Sequence, residues 1–501
     1  MKNLSLLLSL LFMTFFSLSQ GEGSVFTSTG RGVSTTFATD YQALGINPAN
    51  LGWDKEFKGK TIAFGFLETG FSFDSKIINN PAVSEVRSIP FNLSFDSTKR
   101  YNDFTELSYD LQDGARLNAD VRLFGVAVTS KRLGGFAFNV TERYSMNMNL
   151  SKDVADIMTF GFGAPYFDSL LVESNGNLSN VANNPQNYDS LQQDNSVSII
   201  AGNSSNPKSI PEIFEGTNLK VSWIREFNFG YGVGLIRKEK FGLYVGIGVK
   251  YLQGMALLDV SSDGNNLNGF MSYSPSFSNP NNVGLFSVGN ARFKIPKAAG
   301  RGFGVDLGVN VKLFKRIKIG LAVNDIGSIT WSKNTYNVTT SSSLTNFRVA
   351  GFYKDSNSIS ASTGGVTFDS ILNSLVDIQQ GSFERKVNLP TTMRLGFGIQ
   401  FGKILEIGGE VIAPLNSNPG NFSSALYSFG GDVKLGFIVL SAGTVFQQNR
   451  QTRIPVGILF APINRTWELG VSTRDIQSLI KRHDLDNPMY STAFGFLRFR
   501  L

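Results

Sequence analysis

The chain has 501 residues, 52 of them Gly and 16 Pro, with 42% hydrophobic and 17% charged side chains, which excludes collagen, disordered tails and coiled coils. Net charge is +7, from 46 basic against 39 acidic residues without a long basic cluster, so nucleic-acid binding is excluded too. With zero Cys and a single His, His483, there is no thiolate, no disulfide and no Cys/His zinc site, and a Ser–His–carboxylate triad would depend on that one imidazole.

In chain order, Lys2 precedes an apolar run from Leu4 to Leu18, interrupted by Ser5, Ser9, Thr14 and Ser17, and the small pair Ser17 and Ser19 follows. This predicts a secretory signal peptide over 1–20, because the run is shorter than the ~20 residues a spanning helix needs. Residues 21–60 are rich in Gly, Thr and Ser and contain Asn47-Pro48-Ala49. Pro48 fixes φ and Asn47 can accept from the backbone that follows it, so the tripeptide predicts a rigid turn. One reading is an ordinary turn before the first strand. The functional reading is a small plug, 21–60, folded into the lumen of a barrel formed by 61–501.

Beyond the signal no segment offers ~18 consecutive apolar residues, so a membrane-spanning fold must be a closed barrel. Its mark is a series of ~10-residue segments with alternating apolar and polar or small residues. In GRGFGVDLGVNVKL, Phe303, Val305, Leu307, Val309 and Val311 oppose Gly304, Asp306, Gly308, Asn310 and Lys312. A tight turn at Phe314-Lys315-Arg316 leads to Ile317, Ile319, Leu321 and Val323 on the matching face. The same grammar predicts strands at 61–73, 117–128, 135–146, 221–235, 243–255, 302–313, 317–331, 391–401, 404–413, 425–435, 437–446, 454–461, 466–473 and 491–501. That makes about fourteen antiparallel strands, with twelve or sixteen as alternatives because 437–461 alternates poorly.

Short turns follow strands two, four, six and eight, whereas 74–116, 147–220, 256–301 and 332–390 are long connections. Outer-membrane barrels put short turns in the periplasm and long loops outside. The competing architecture is a secreted sandwich, disfavoured by the Gly on the non-greasy face and by the last strand, where Leu497, Phe499 and Leu501 oppose Arg498 and Arg500. The Asn- and Ser-rich stretch 175–206 reads as solvated surface. Phe368, Ile371, Leu372 and Leu375 share one helical face after Thr367, which predicts a lid or docking helix, and Pro211-Glu212-Ile213-Phe214 predicts a shorter one. Gly59-Lys60-Thr61 is no phosphate loop, because Asp54 stands where the first Gly belongs.

Inward positions supply the candidate lumen residues: Asn139, Thr141, Arg143, Lys250, Asp306, Asn310, Asn324, Arg394, Gln400, Glu406, Glu410, Asp432, Lys434, Glu468 and Arg498. Their mixed signs suit pairing of wall to plug or contact with a solute headgroup. Arg143 and Arg394 lead for a carboxylate, which a guanidinium grips with two parallel bonds. Basic turn residues such as Arg132, Lys238, Lys240, Lys315 and Arg316 suit the anionic periplasmic membrane edge.

Arg31-Gly32, an Asp40-containing stretch, Asn47-Pro48-Ala49 and Leu51 together resemble the amino-terminal hatch of FadL-type barrels, the long-chain fatty-acid transporters, and of their PorV-like relatives in type IX secretion. Trp467 to Ile476, Phe494 to Leu501 and Asp325 to Trp331 resemble an uncharacterised FadL-like branch of Bacteroidota outer-membrane proteins. Asn50, where the tripeptide is often followed by Gly, departs from the fatty-acid transporters, as do the longer loops. The resemblance implies an outer-membrane location, fourteen strands and passage of a hydrophobic or amphipathic solute. It equally allows a non-transporting adaptor or blocking subunit in type IX secretion. A third alternative is a hydrolase using His483. No cofactor or metal is expected; expected partners are outer-membrane lipid, a hydrophobic small molecule or secretion-system proteins.

Overall fold

The computed structural model describes residues 25–501 apart from 54–60, 81–82, 87–92, 96–100, 131, 277–295, 341–347, 354–364, 368–375, 419–420, 423, 449–450 and 481–488. Fourteen strands form the wall: β1 Ile62–Asp74, β2 Ala115–Ser130, β3 Gly134–Asn149, β4 Asn218–Arg237, β5 Phe241–Ser262, β6 Gly300–Leu313 and β7 Ile317–Trp331 make the first half. The second half is β8 Thr392–Phe401, β9 Leu405–Pro414, β10 Leu426–Leu435, β11 Ile438–Gln447, β12 Val456–Phe460, β13 Trp467–Thr473 and β14 Met489–Arg500. Each pairs antiparallel with its neighbour, and β14 returns to β1 through a register running from Ala63↔Arg500 to Asp74↔Met489. The sheet is therefore closed and has no free edge, which satisfies every wall peptide group without water.

The period of two decides which side faces lipid. On β6, Phe303, Leu307 and Val309 are 65%, 47% and 42% exposed, while Asp306 and Asn310 on the opposite parity are 1% and 0%. The outer face is apolar and the inner face polar, the inverse of a soluble sandwich, and this defines a transmembrane barrel of the outer-membrane type. No helix among the described residues is long and apolar enough to cross a membrane.

The wall is not a smooth ladder. Leu67 (φ 51) and Asp325 (φ 61) take left-handed backbone inside β1 and β7, and register shifts accompany them at Arg122/Phe124 and Val305/Leu307. Each bulge adds one residue and inverts the parity beyond it. Strands Leu267–Tyr273, Thr335–Thr340, Val376–Gly381 and Arg385–Asn388 extend the wall past β5 to β8, where the sequence reads only as loop.

The external connections carry regular structure that the sequence did not show. The stretch 175–206 is largely at the surface, as expected, yet 169–209 contributes strands Ser169–Ser174, Asn177–Ala182 and Val197–Ser209 to a five-stranded sheet completed by Arg348–Tyr353 and Gly365–Thr367. Helices α1 Tyr101–Gln112, α2 Lys152–Phe160 and α3 Pro185–Gln193 accompany it. Phe104, Leu107, Leu111, Phe160, Phe167 and Tyr188 pack there into a common core. The short helix expected near 211 is present as Ile210–Ile213, started by a capping box between Ser209 and Glu212. The helix expected over 368–375 lies outside the described residues; Thr367 ends one strand and Val376 begins another. The expected signal peptide and His483 lie outside the described residues too.

Candidate functional site: the barrel lumen

The segment Val25–Trp53 has almost no regular structure of its own: a helical turn Phe26–Thr29 and two 3-10 turns, Asp40–Ala43 and Pro48–Gly52. Most of its side chains are nevertheless buried, because it lies against the inner face of the wall. The wall admits it through glycine. A Cβ on Gly246 would collide with the backbone of Pro48 and Ala49, and one on Gly430 or Gly443 would strike the Arg31 carbonyl. The glycines of the inner face thus mark where backbone meets backbone.

The Asn47-Pro48-Ala49 turn forms as its residues dictate. Pro48 opens the 3-10 turn and the Asn47 side chain accepts from the Ala49 N–H at 3.1 Å. The Asn310 amide on β6 bridges the turn, 2.7 Å from Asn47 and 2.7 Å from Asn50. Asn324 on β7 donates to the Ile46 carbonyl at 2.9 Å, and Asn139 on β3 to the Tyr41 carbonyl at 3.0 Å.

Around the circumference the seam is ionic. Arg31 meets Asp432 on β10, whose other oxygen accepts from Ser441 at 2.7 Å. Glu410 on β9 takes the Thr35 N–H at 2.8 Å and its hydroxyl at 2.6 Å, and Arg394 on β8 donates to Ser34 at 3.2 Å. Asp40 lies 3.0 Å from Arg500 and 3.4 Å from Arg498, both of which also engage Glu468. Tyr41 and Gln42 donate to Glu68 at 2.5 and 2.9 Å, with Arg122 at 2.7 Å on the same carboxylate. Lys318 and Lys434 share Glu406 at 2.8 and 3.0 Å.

On the external side of the segment, Lys250 sits 3.0 Å from Asp306 and 2.5 Å from Asp325, and Arg143 2.5 Å from Glu226. Lys250, Asp325, Arg143 and Glu226, with Arg394, line a cavity of about 40 Å³. Beyond them the inner face turns apolar: Ile224, Leu252, Leu257, Ile329, Trp331 and Leu389 are all under 9% exposed and pack together, and all of these but Leu252 border a cavity of about 30 Å³ that Ser145, Lys220 and Ser222 also line. Gly254 makes room for the Trp331 indole, which a Cβ there would approach to 2.6 Å.

Of the residues expected in the lumen, Asn47, Pro48, Ala49, Asn310, Asn324, Arg394, Glu410, Asp432 and Arg498 meet at the seam, and Arg143, Lys250 and Asp306 in the cluster beyond it. Arg143 and Arg394, expected to be open to a carboxylate, already have partners from the protein itself. Gln400 stands apart, half-buried near the short-turn end, its backbone N–H bonded to the Arg316 carbonyl at 3.0 Å. The sequence reading missed Glu68, Arg122 and Asp325, which lie at or beside bulges. It also missed the apolar inner cluster. A charged residue inside an otherwise apolar run, Glu68 in FGFLETGF, was the available signal for the first.

Fold and lumen together define a fourteen-stranded outer-membrane barrel whose bore is occupied by its own amino-terminal segment. Residues 190–464 match a family of unknown function, DUF5723, and the chain belongs to that family. No curated protein matches the sequence. Among solved structures it is similar to the Pseudomonas putida toluene transporter TodX, at 11% identity over 96% of this chain and 98% of that one, with a TM-score of 0.42. It is similar to a Pseudomonas aeruginosa FadL homologue at 11% identity, over 97% and 98% of the two chains, with a TM-score of 0.38.

Proposed function

We propose that the protein is an outer-membrane channel that takes a hydrophobic or amphipathic solute at its external mouth, with Val25–Trp53 acting as a hatch. The observation that carries this is the inward apolar cluster of Ile224, Leu252, Leu257, Ile329, Trp331 and Leu389. A porin wall needs polar residues facing its aqueous bore; six clustered apolar side chains inside the barrel offer an apolar solute a surface that water would not repay. Below it, hatch and wall meet mostly through polar groups that water or a headgroup can replace in kind, beside one apolar contact of Tyr41, Ala43, Leu44 and Leu51 with Ala63, Ala127 and Ala137. The FadL-like motif in the hatch agrees with this reading.

Conductance in planar bilayers tests it. The refolded full-length protein is expected to be closed, and deletion of 21–53 is expected to give steady pore currents. An environment-sensitive apolar dye such as N-phenylnaphthylamine should bind the full-length protein, and Trp331→Ser should weaken that binding. Silence of both forms, in protein that still shows heat-modifiable barrel migration, overturns the hatch and favours a non-transporting adaptor.

A further inference from the structure

Just before β8 the ladder with β7 is interrupted. The pairs Ser328↔Asn388 and Asn324↔Thr392 keep one register, but 389–391 between them leave the strand. Pro390 has no N–H to give, and Asp325 across from it takes left-handed backbone (φ 61). From this break the Leu389 side chain reaches past β7 to β6, where a Cβ on Gly304 would stand 3.0 Å from its Cδ1 and 3.6 Å from the Lys250 Cδ. Leu389 thereby joins the inward apolar cluster and touches the edge of the charged one. Pro390, also buried, borders both lumen cavities, the charged one of about 40 Å³ and the apolar one of about 30 Å³.

The chain beyond β9 clamps the break. The Asn416 and Asn418 amides donate to the Leu389 carbonyl at 2.9 and 3.2 Å, and the Asn421 amide donates to the Thr391 carbonyl at 2.9 Å. On the other side the Leu389 N–H meets the Gly327 carbonyl and the Thr391 hydroxyl the Asp325 carbonyl, each at 2.9 Å. Backbone groups that have left a ladder inside a barrel need such partners.

We infer that Leu389 and Pro390 are the selecting partition of the solute path, held across it by Asn416, Asn418 and Asn421; the inference rests on the channel reading above. A solute that leaves the apolar cavity for the charged one displaces this pair first. An apolar body replaces the contacts that Leu389 gives up, whereas a strongly hydrated one does not. The clamp is made largely of side-chain amides, which swing away by rotation about their own bonds and accept water in exchange. The pairing of β8 with β7 and β9 from Thr392 onward stays intact when they do.

The chain has no Cys, so single cysteines report cleanly on each side of the partition. Thr392→Cys lies on the charged cavity and Ser222→Cys on the apolar one. Each reporter, in the full-length protein on intact cells, is treated from outside with N-phenylmaleimide, an uncharged aromatic probe. Joint replacement Asn416→Ala and Asn421→Ala should speed labelling of Thr392→Cys about tenfold, since labelling at a closed site follows its opening and two amide bonds that favour closure are gone. Leu389→Ala, which leaves the clamp in place, should speed it as well. Ser222→Cys should label at one rate in every background, and heat-modifiable migration checks that each barrel has folded. A Thr392→Cys rate unchanged in one or both variants, or both reporters accelerated alike, overturns the partition. Conductance of the hatch-deleted form reads the channel separately, so a silent channel would remove that reading without altering the labelling rates.

Discussion

Two regions of the molecule are held together in different proportions. The hatch meets the barrel mainly through ion pairs and amide contacts, with one small apolar cluster of Tyr41, Ala43, Leu44 and Leu51 against wall alanines, whereas the external sheet and its helices close around Phe104, Leu107, Leu111, Phe160 and Phe167. An apolar core separates only by exposing its area to water, about 25 cal/mol for each Å². A polar seam separates by exchanging partners, at a net cost near 1 kcal/mol for each neutral hydrogen bond. On the proposed reading the difference assigns roles: the outer region serves as a fixed scaffold around the mouth, and the inner one as the part that moves. Deleting the hatch, with the largest expected effect, tests that contrast as a whole.

A single charge removed from the seam should come next. Asp432→Ala strips Arg31 of its carboxylate while both positions remain buried. An uncompensated buried charge costs about 3–5 kcal/mol, and here the hatch can relieve it by leaving the wall. The expected result is flickering conductance in a barrel of ordinary thermal stability, with faster hydrogen exchange confined to 25–53. Loss of the barrel itself would show the seam to be part of the scaffold.

Leu107→Ala examines the other side of the comparison. Leu107 is 0% exposed on the inward face of α1, between Phe104 and Leu111. Leu→Ala in a close-packed core costs about 2–5 kcal/mol. Because this core touches the wall only near the ends of β1 to β3, at Phe73, Ala115, Leu117 and Met146, proteolysis of 150–217 should accelerate while the strands keep their heat-modifiable migration and the conductance of the hatch-deleted form is unchanged. Coupled loss of both would make the two regions one cooperative unit.

How far the sequence reveals this design depends on whether parity survives along each strand. All fourteen strands were legible because an apolar residue at every second position has no other use, and even the weakly alternating 437–461 resolved into β11 and β12. Asn310, Glu410 and Asp432 were legible for the same reason. Glu68 and the inward set around Trp331 were not: the left-handed residues Leu67 and Asp325 each shift the count by one, and nothing in residue type at Leu67 announces φ > 0. Nor was the external sheet legible, since Asn177–Ala182 and Val197–Ser209 carry Asn and Ser at strand positions and are held by pairing with distant segments. Composition described the surface of those loops and missed the core beneath it.

The smallest expected effect lies in that external sheet and depends on pH. Asp168 precedes the strand Ser169–Ser174, and it accepts from the Ser205 hydroxyl and backbone N–H at 2.5 Å each. Those bonds favour the carboxylate and hold its pKa below the ordinary aspartate value. A carboxyl whose pKa is depressed by folding stabilises fully above its unfolded value and loses that contribution as pH falls through the folded one. Asp168 is near the surface, so solvent screening keeps the contribution small. Hydrogen exchange at 169–174 and 203–206 should therefore rise as pH is lowered beneath the ordinary aspartate range, relative to the intrinsic rate, while β6 and β7 show no change. Asp168→Asn should remove the pH dependence and leave exchange at its low-pH level throughout. If β6 and β7 titrate in step with the sheet, the external region and the wall open together and the contrast between them fails.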